Sequence, residues 1–220
     1  MVNENYADAL VTGYTRGYPT VAKPIIDLIG KAKGIKKVAA TNLMLTDRGP
    51  LFLSDTAMNI NPTAKELTEI TIMTNNVMKL FGLKPNLALV SFSNFGSSKS
   101  ESSKKIGEAI SYLHTYFPNI SVDGEFQADF ALNTKMRTEK FPFSKLQDKK
   151  VNGLIYPNLE SANISYKILK ELAKADSIGP IIMGLNKPAH LIQLGASVDE
   201  IVNMVCIAVV DAQERKKVKK

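Results

Sequence analysis

Short apolar runs alternate along the chain with longer segments in which apolar residues recur every three to four positions. The short runs have the length of buried strands and the longer ones the period of amphipathic helices, so the pattern predicts parallel strands joined by crossover helices. The predicted strands are residues 9–13, 37–41, 51–54, 87–92, 153–156 and 181–184. The predicted helices are residues 19–30, 63–81, 99–117, 161–173 and 197–215.

Two of these helices begin with a recognisable start signal. Thr63 precedes Glu66 by three residues, and Ser197 precedes Glu200 in the same way. In this arrangement the hydroxyl and the carboxylate each accept a hydrogen bond from a free amide of the first turn. The sequence therefore predicts a capping box at both positions.

Prolines and glycines mark the boundaries of the predicted elements. Pro19 and Pro24 are compatible with one helix only near its start, so that boundary is placed beside them. Breaks at residues 82–86 and 179–180 divide the chain, which predicts one subdomain of residues 1–82 with 179–220 and an inserted one of residues 83–178. Ligands are then expected in the cleft between the subdomains or beyond the carboxyl ends of the strands.

Composition narrows the class of protein. With 220 residues, 45% of them hydrophobic, the chain can bury a sizeable core. It has no apolar run of about 20 residues and no export signal, so we expect a cytoplasmic protein that does not span a membrane. The single cysteine, Cys206, lies in an apolar run and is predicted to be a buried thiol.

The net charge of +7 is concentrated at the end of the chain, because five basic residues lie within positions 215–220. A short terminal run of this kind is typical of a solvated end, and the sequence has no nucleic-acid-binding motif. We therefore expect no nucleic-acid partner. The mildly basic remainder is suited to a phosphorylated, anionic small molecule.

The segment 91–100, SFSNFGSSKS, lies between a predicted strand and a predicted helix. Its small hydroxyl residues, its glycine and the helix start can cradle an anion, or they can form a solvated capping loop. The spacing of a Walker A loop is missing. Both interpretations stay open from the sequence alone.

Other polar clusters favour structural roles. The carboxylates Asp123, Glu125 and Asp129 lack the spacing of a calcium loop, so they are expected to cap helices or pair with basic side chains, and no metal is predicted. His190 and His114 have apolar or helical surroundings and no nucleophile motif beside them, which favours structural histidines.

A further polar cluster follows the predicted strand 153–156. Asn158, Ser161 and Asn163 can hydrogen-bond a ligand or cap the next helix, and Ser161 is predicted to cap it.

Taken in order, several of these segments resemble the phosphate acetyl/butyryl transferase family. The resemblance rests on residues 7–13, 91–98, 123–129 and 179–207, and residues 141–144, 156–163, 183–190 and 202–213 resemble the malic-enzyme branch. It implies a three-layer α/β/α fold with mostly parallel sheets and two subdomains, as in isocitrate and isopropylmalate dehydrogenases. It also implies an acyl-CoA ligand such as acetyl-CoA, possible binding of phosphate, and no covalently bound cofactor.

Three departures from the family pattern bear on activity. Gln193 and Leu194 stand where active members carry a Ser-Arg pair, Glu200 stands where they carry a catalytic aspartate, and Lys23 stands where they carry a phosphate-binding arginine. A leucine cannot bind a phosphate, and a longer carboxylate arm displaces the base. The resemblance therefore implies impaired catalysis with acetyl-CoA as a regulatory ligand. An active transferase and a vestigial or oligomerising fragment are the alternatives.

The match begins inside the family pattern, so the first subdomain is expected to be incomplete. Exposed sheet edge or apolar surface would then favour a homo-oligomer or assembly with a malic-enzyme catalytic chain. Glu200 is the candidate catalytic residue, with a glutamate in place of the aspartate of the family pattern. The ligand-binding candidates are Lys23, Ser91, Ser93, Ser97, Ser98, Asn163, Lys187 and Gln193.

Overall fold

The computed structural model describes residues 1–217. In chain order its elements are β1 (Leu10–Gly13), α1 (Tyr18–Ile29), β2 (Ala39–Thr46), β3 (Gly49–Ser54), α2 (Ala64–Leu80), β4 (Leu87–Val90), α3 (Glu101–Tyr116), β5 (Val122–Phe126), α4 (Ala128–Leu132), α5 (Thr134–Lys140), β6 (Gly153–Ile155), α6 (Leu159–Leu172), β7 (Asp176–Met183), β8 (Ala189–Ile192) and α7 (Val198–Lys217). No helix in this part of the chain is long and apolar enough to cross a bilayer; a cytoplasmic location stays a prediction.

The strands form two sheets. The larger has six strands in the order β5-β4-β6-β3-β2-β7, and the smaller pairs β1 with β8. The pairs β4–β5, β4–β6, β3–β6 and β1–β8 are parallel, whereas β2 runs antiparallel to both of its neighbours. The prediction of a mixed α/β fold with mostly parallel sheets is therefore confirmed.

Helices cover both faces of the large sheet. Side chains of α2 and α3 pack with Leu43 and Phe52 on one face, and α4 and α6 pack with Met44 and Leu53 on the other. Adjacent residues of β2 and β3 thus enter opposite cores, as the two-residue period of a strand requires. A third cluster, with Ile25 of α1 and Leu191 of β8, lies under the small sheet.

The sheets group the chain differently from the division expected at residues 82 and 179. Strands β2, β3 and β7 lie in the same sheet as β4, β5 and β6, so this sheet draws on residues 39–183. Residues 179–180 fall inside β7. The small sheet instead groups β1 and β8, and a division of the chain into two subdomains stays a prediction.

Both predicted capping boxes are confirmed. The Thr63 amide donates to Glu66 Oε2 at 2.8 Å, and the Glu66 amide donates to Thr63 Oγ1 at 3.3 Å. The corresponding distances between Ser197 and Glu200 are 2.8 and 3.2 Å. These hydrogen bonds satisfy amides that have no partner inside the helix.

The predicted cap of α6 was wrong. Asn158 is the capping residue, because its side-chain oxygen accepts the Ser161 amide at 2.8 Å. Ser161 lies inside the first turn, where its hydroxyl donates to the Asn158 carbonyl at 3.1 Å. The helix therefore starts at Leu159, two residues earlier than predicted. Asparagine and serine are equally good capping residues, so the sequence alone did not distinguish the two positions.

Other expectations from the pattern also need correction. β5 and β8 were not predicted, and neither were the short helices α4 and α5. β5 has the sequence VDGEF and is buried throughout. It was not predicted because aspartate, glutamate and glycine are uncommon in strands. Pro24 lies well inside α1 rather than near its start, on an exposed position of the helix.

Cys206 is exposed, so the prediction of a buried thiol was wrong. The apolar run around it forms part of α7, and only one stripe of that helix is buried. Met204, Ile207 and Ala208 belong to this stripe. Cys206 lies between them in sequence, but the helical period of 3.6 residues places its side chain on the opposite side of α7, which is exposed.

Candidate functional site

The carboxyl ends of four parallel strands lie side by side at one end of the large sheet, which we call the sheet edge. β3, β6, β4 and β5 are mutually parallel neighbours, and they end at Ser54, Ile155, Val90 and Phe126. The residues that follow these ends are brought together by the sheet, although they are far apart in sequence. This edge is where ligands bind in open parallel sheets.

The serine-rich loop after β4 uses most of its polar groups to hold its own shape. Ser93 Oγ is buried and accepts the Ser98 amide at 3.0 Å, and Ser97 Oγ accepts the Asn94 amide at 3.0 Å. The Gly96 amide donates to Glu125 Oε1 at 3.2 Å. These amides are not free to bind an anion, which favours the capping-loop interpretation for this part of the loop.

Ser91 differs from the other candidate serines. It directly follows β4, and its amide donates to the Phe126 carbonyl at 2.7 Å. Its hydroxyl is buried and has no hydrogen-bond partner within residues 1–217. Because a buried hydroxyl without a partner is costly, Ser91 is the candidate in this loop that is best suited to hydrogen-bond a ligand or water.

Asn163 of α6 is brought to the same edge through the segment that follows β3. Its side-chain amide donates to the Thr56 carbonyl at 3.2 Å. Thr56 Oγ1 in turn donates to Asn42 Oδ1 at 2.6 Å. The other side-chain atom, the buried Asn42 Nδ2, has no partner among the described residues. The network is thus incomplete at Asn42, beside the sheet edge.

Asp55 fixes the segment after β3. One carboxylate oxygen accepts the amides of Ala40, Ala57 and Met58 at 3.1 to 3.2 Å, and the other accepts the Asn59 amide at 3.0 Å. Burial raises the pKa of Asp55 above its ordinary value, although these hydrogen bonds oppose the shift. Asp55 therefore acts as a structural anchor for Thr56.

Tyr18 connects α1 to this region. Its hydroxyl is buried without a hydrogen-bond partner within residues 1–217. Burial raises the pKa of the hydroxyl, and the charge of Asp55 adds to the effect. The phenol therefore stays protonated and can donate a hydrogen bond.

Glu200 lies in the first turn of α7 and is tied to two neighbours. Its Oε1 is 3.0 Å from Lys170 Nζ, and its Oε2 accepts the Ser197 amide at 2.8 Å. Burial opposes ionisation, but these hydrogen bonds outweigh it and hold the pKa of Glu200 below its ordinary value. Glu200 is consequently an ionised carboxylate with both oxygens engaged.

The remaining candidates are not part of the sheet edge. Lys23 is exposed on α1 and pairs with Asp27 at 2.6 Å. Lys187 donates to Asn5 Oδ1 at 2.6 Å and borders a groove of about 790 Å³ between α2 and α7. Gln193 directly follows β8. The structure thus brings Ser91 and Asn163 to one edge and places Lys23, Lys187 and Gln193 around the small sheet.

The carboxylates of β5 have structural partners. Asp123 Oδ2 accepts the Ser144 hydroxyl at 2.7 Å and the Lys145 amide at 2.8 Å, and Glu125 Oε1 accepts the Gly96 amide of the serine-rich loop. Buried His190 places Nε2 3.5 Å from Asp211 Oδ2, within a cluster that includes Arg215. These residues position segments of chain rather than lining the sheet edge.

Sequence reasoning missed five polar residues of this region. A signal was present for two of them, since Asp55 and Thr56 directly follow a predicted buried strand. None was present for Asn42 inside β2, Tyr18 at the start of α1 or Lys170 on α6, because their neighbours come from distant parts of the chain.

Comparison with known proteins gives a consistent result. The family model described as "Phosphate acetyl/butaryl transferase" matches residues 1–209. An NADP-dependent malic enzyme of Haemophilus influenzae is 42% identical over 97% of the chain, and a phosphate acetyltransferase of Clostridium acetobutylicum is 35% identical over 96%. The crystal structure of a phosphotransacetylase from Streptococcus pyogenes superposes with a TM-score of 0.91, 33% identity and 97% coverage of the chain.

These relatives are longer proteins. The chain spans 28% of the malic enzyme, 66% of the acetyltransferase and 65% of the crystallised phosphotransacetylase. The match nevertheless covers nearly all of the chain, in both sequence and fold. The chain therefore belongs to the phosphate acetyl/butyryl transferase family.

Proposed function

We propose that this chain is a phosphotransacetylase-like module that binds acetyl-CoA or a related acyl-CoA as a regulatory ligand and transfers the acyl group poorly. The ligand occupies a cleft between the edge of the large sheet and the elements of the small sheet. Binding requires no covalently attached cofactor, and phosphate is the proposed second ligand. The malic-enzyme relatives are 35 to 42% identical and much longer than this chain, which supports a module that works beside a malic-enzyme catalytic region.

The engaged carboxylate of Glu200 carries the proposal. A base that removes the proton of the CoA thiol needs an accessible lone pair, and a pKa near the working pH favours the transfer. Glu200 has its two oxygens directed to Lys170 and Ser197, and its pKa lies below the ordinary value. Such a carboxylate is well suited to stabilise α7, and its lowered pKa makes it a weaker base than an ordinary glutamate.

Leu194 supports the same conclusion. It lies between β8 and α7 and is 70% exposed. An apolar side chain at this position supplies neither charge nor hydrogen bonds to a phosphate, whereas the arginine of the family pattern can bind phosphate in a bidentate manner. Lys23, the remaining cation of that pattern, is paired with Asp27.

The unpartnered polar groups at the sheet edge support ligand binding. Ser91 Oγ, Asn42 Nδ2 and the Tyr18 hydroxyl are all buried without partners within residues 1–217. Each can form a hydrogen bond with a ligand that reaches this edge. Native proteins rarely leave such groups unsatisfied without an ordered water or ligand.

The first test measures binding and turnover on the same preparation. We expect calorimetric titration to detect acetyl-CoA binding, while acetyl phosphate formation from acetyl-CoA and phosphate stays near background. Ser91→Ala should weaken binding by about 3- to 10-fold through loss of one hydrogen bond, and the exposed Ser111→Ala serves as the matched control. If no binding is detected at millimolar acetyl-CoA, the proposal that the chain binds this ligand is refuted and the vestigial-fragment alternative is favoured.

A second variant tests the role of position 194. We expect Leu194→Arg to strengthen acetyl-CoA binding by about 10-fold, because a guanidinium forms strong hydrogen bonds with phosphate. Leu194→Gln, which is neutral and of similar length, is the control. Unchanged or weaker binding by the arginine variant would contradict this placement of the ligand.

An active transferase is the second candidate, because relatives with the name phosphate acetyltransferase are 32 to 35% identical to this chain. Turnover at an ordinary enzymatic rate that Glu200→Gln abolishes would support this candidate and overturn impaired catalysis. Assembly with a malic-enzyme catalytic chain is part of the leading proposal. Co-purification of the two chains followed by acetyl-CoA titration of malic enzyme activity would test it.

A further inference from the structure

A lysine on α3 contacts two segments that leave the sheet edge. Lys105 lies in the second turn of α3, and its ammonium donates hydrogen bonds to Asn61 Oδ1 at 2.7 Å and to the Pro157 carbonyl at 2.8 Å. Asn61 belongs to the segment after β3 and Pro157 to the segment after β6, while α3 itself follows β4. One cation therefore ties together the chain that follows three adjacent strands of the large sheet.

The ammonium of Lys105 is partly withdrawn from water. Burial lowers the pKa of Lys105, whereas the charges of Glu101 and Glu66 oppose the shift. Removing an ammonium from water costs free energy unless other acceptors replace the water. The oxygens of Asn61 and Pro157 supply that replacement, so they hold the cation in place.

Pro157 lies next to the residue that starts α6. It directly precedes Asn158, which caps the helix, and α6 in turn carries Asn163. Asn163 Nδ2 donates to the Thr56 carbonyl at 3.2 Å, on the segment after β3. Lys105 holds both sides of this arrangement, because it contacts Pro157 on one side and the segment after β3 on the other.

Main-chain hydrogen bonds join the same two segments to each other. The Tyr156 amide donates to the Ser54 carbonyl at 2.7 Å, and the Leu159 amide donates to the Ile60 carbonyl at 3.0 Å. The proline between these two donors has no amide hydrogen of its own. At this gap the hydrogen bond comes from Lys105, which connects the paired segments to α3.

We propose that Lys105 is a positioning residue for acyl-CoA binding. By holding Pro157 and Asn61, it sets the distance between the start of α6 and the segment after β3. That distance in turn sets where Asn163 and Thr56 lie at the sheet edge. A polar group displaced by about 1 Å forms a much weaker hydrogen bond, so loss of this tie weakens ligand binding. The inference rests on the proposed function, because it concerns the ligand of the same edge.

Calorimetric titration of the 220-residue chain and its variants with acetyl-CoA tests the inference. We expect Lys105→Met to weaken binding about 10-fold. Lys104→Met is the matched control, since it removes the same charge from an exposed neighbouring position, and it should bind within about 2-fold of the unmodified chain. Lys105→Arg should bind within about 3-fold, because a guanidinium can donate to both oxygens. If Lys105→Met does not fold, Asn61→Ala removes one of the two acceptors and should weaken binding about 3-fold.

A double-mutant cycle with Asn163→Ala separates positioning from direct contact with the ligand. If Lys105 acts through Asn163, the double variant should bind within about 2-fold of the weaker single variant, because the two substitutions are coupled. Losses that multiply, or a Lys105→Met variant that binds as tightly as Lys104→Met, would overturn the inference and leave the proposed function standing. An unmodified chain that does not bind millimolar acetyl-CoA would refute the proposed function and this role of Lys105 with it.

Discussion

Arg137 shows how far a single residue can depart from its local sequence. It lies in the polar helix α5, with the sequence TKMRTEK, yet it is 0% exposed. Its guanidinium donates hydrogen bonds to the carbonyl oxygens of Phe130, Ala131, Leu146 and Lys149. Burial lowers the pKa of Arg137. The side chain joins both ends of the segment 130–149, whose residues 141–149 contain no helix or strand.

We expect Arg137→Met to lower the free energy of unfolding by about 3 kcal/mol, because several buried carbonyl groups lose their donor at once. Urea unfolding followed by circular dichroism measures the change. Lys135→Met is the control, since it removes a charge from the same helix at an exposed position. Equal stabilities of the two variants would show that the guanidinium does not hold this segment.

The start of α2 shows how an element is stabilised from outside itself. Lys37 Nζ lies 2.8 Å from Glu66 Oε1, and this ammonium together with the Thr63 amide holds the pKa of Glu66 below its ordinary value. The stabilisation from Glu66 is therefore fully present above the pKa of an unfolded glutamate, about 4.3. It disappears as the pH falls through the lower pKa of the folded state.

We expect Glu66→Gln to be less stable than the unmodified chain at pH 7 by about 0.5 to 1 kcal/mol. The difference should shrink as the pH falls below about 4. Urea titrations at pH 7, 5, 4 and 3 measure it, and Glu108→Gln on the exposed side of α3 is the control. A difference that stays constant across this range would contradict a role for the ionised carboxylate.

At the scale of the whole molecule, the two sheets differ in size and support. The large sheet has helices on both faces, whereas β1 and β8 form a two-stranded sheet of four residues each. The Lys170–Glu200 pair joins α6, which packs on the large sheet, to the start of α7. A two-stranded sheet is marginal without packing partners.

We expect amide hydrogens of β1 and β8 to exchange at least about 10-fold faster than those of β4 and β6, because local opening of the small sheet exposes less apolar surface. Hydrogen-exchange mass spectrometry of peptides covering these strands provides the measurement. The central strand pair β4–β6 is an internal reference. Equal protection of both sheets would show that they open as one cooperative unit.

Local signals were sufficient for part of this fold. The capping boxes at Thr63 and Ser197 were predictable because their partners lie three residues away, and the buried strands around Phe52 and Leu89 were predictable from continuous apolar runs. β5 was not, because Asp123 and Glu125 acquire partners only when residues 91–98 and 144–145 fold against them. Cys206 was misassigned because an apolar run does not reveal which side of its helix is buried.

The sequence by itself determined the α/β class, the positions of most helices and strands, and the family resemblance, since these depend on periodicity and on ordered motifs. It also identified Ser91 and Asn163 as candidate polar groups. Only the tertiary structure decided that these two share a sheet edge with Thr56 and Asn42, and that Lys170 and Ser197 engage both oxygens of Glu200. The physical reason is that hydrogen bonding, burial and charge at a site depend on groups distant in sequence, whose positions are fixed only when the sheet has formed.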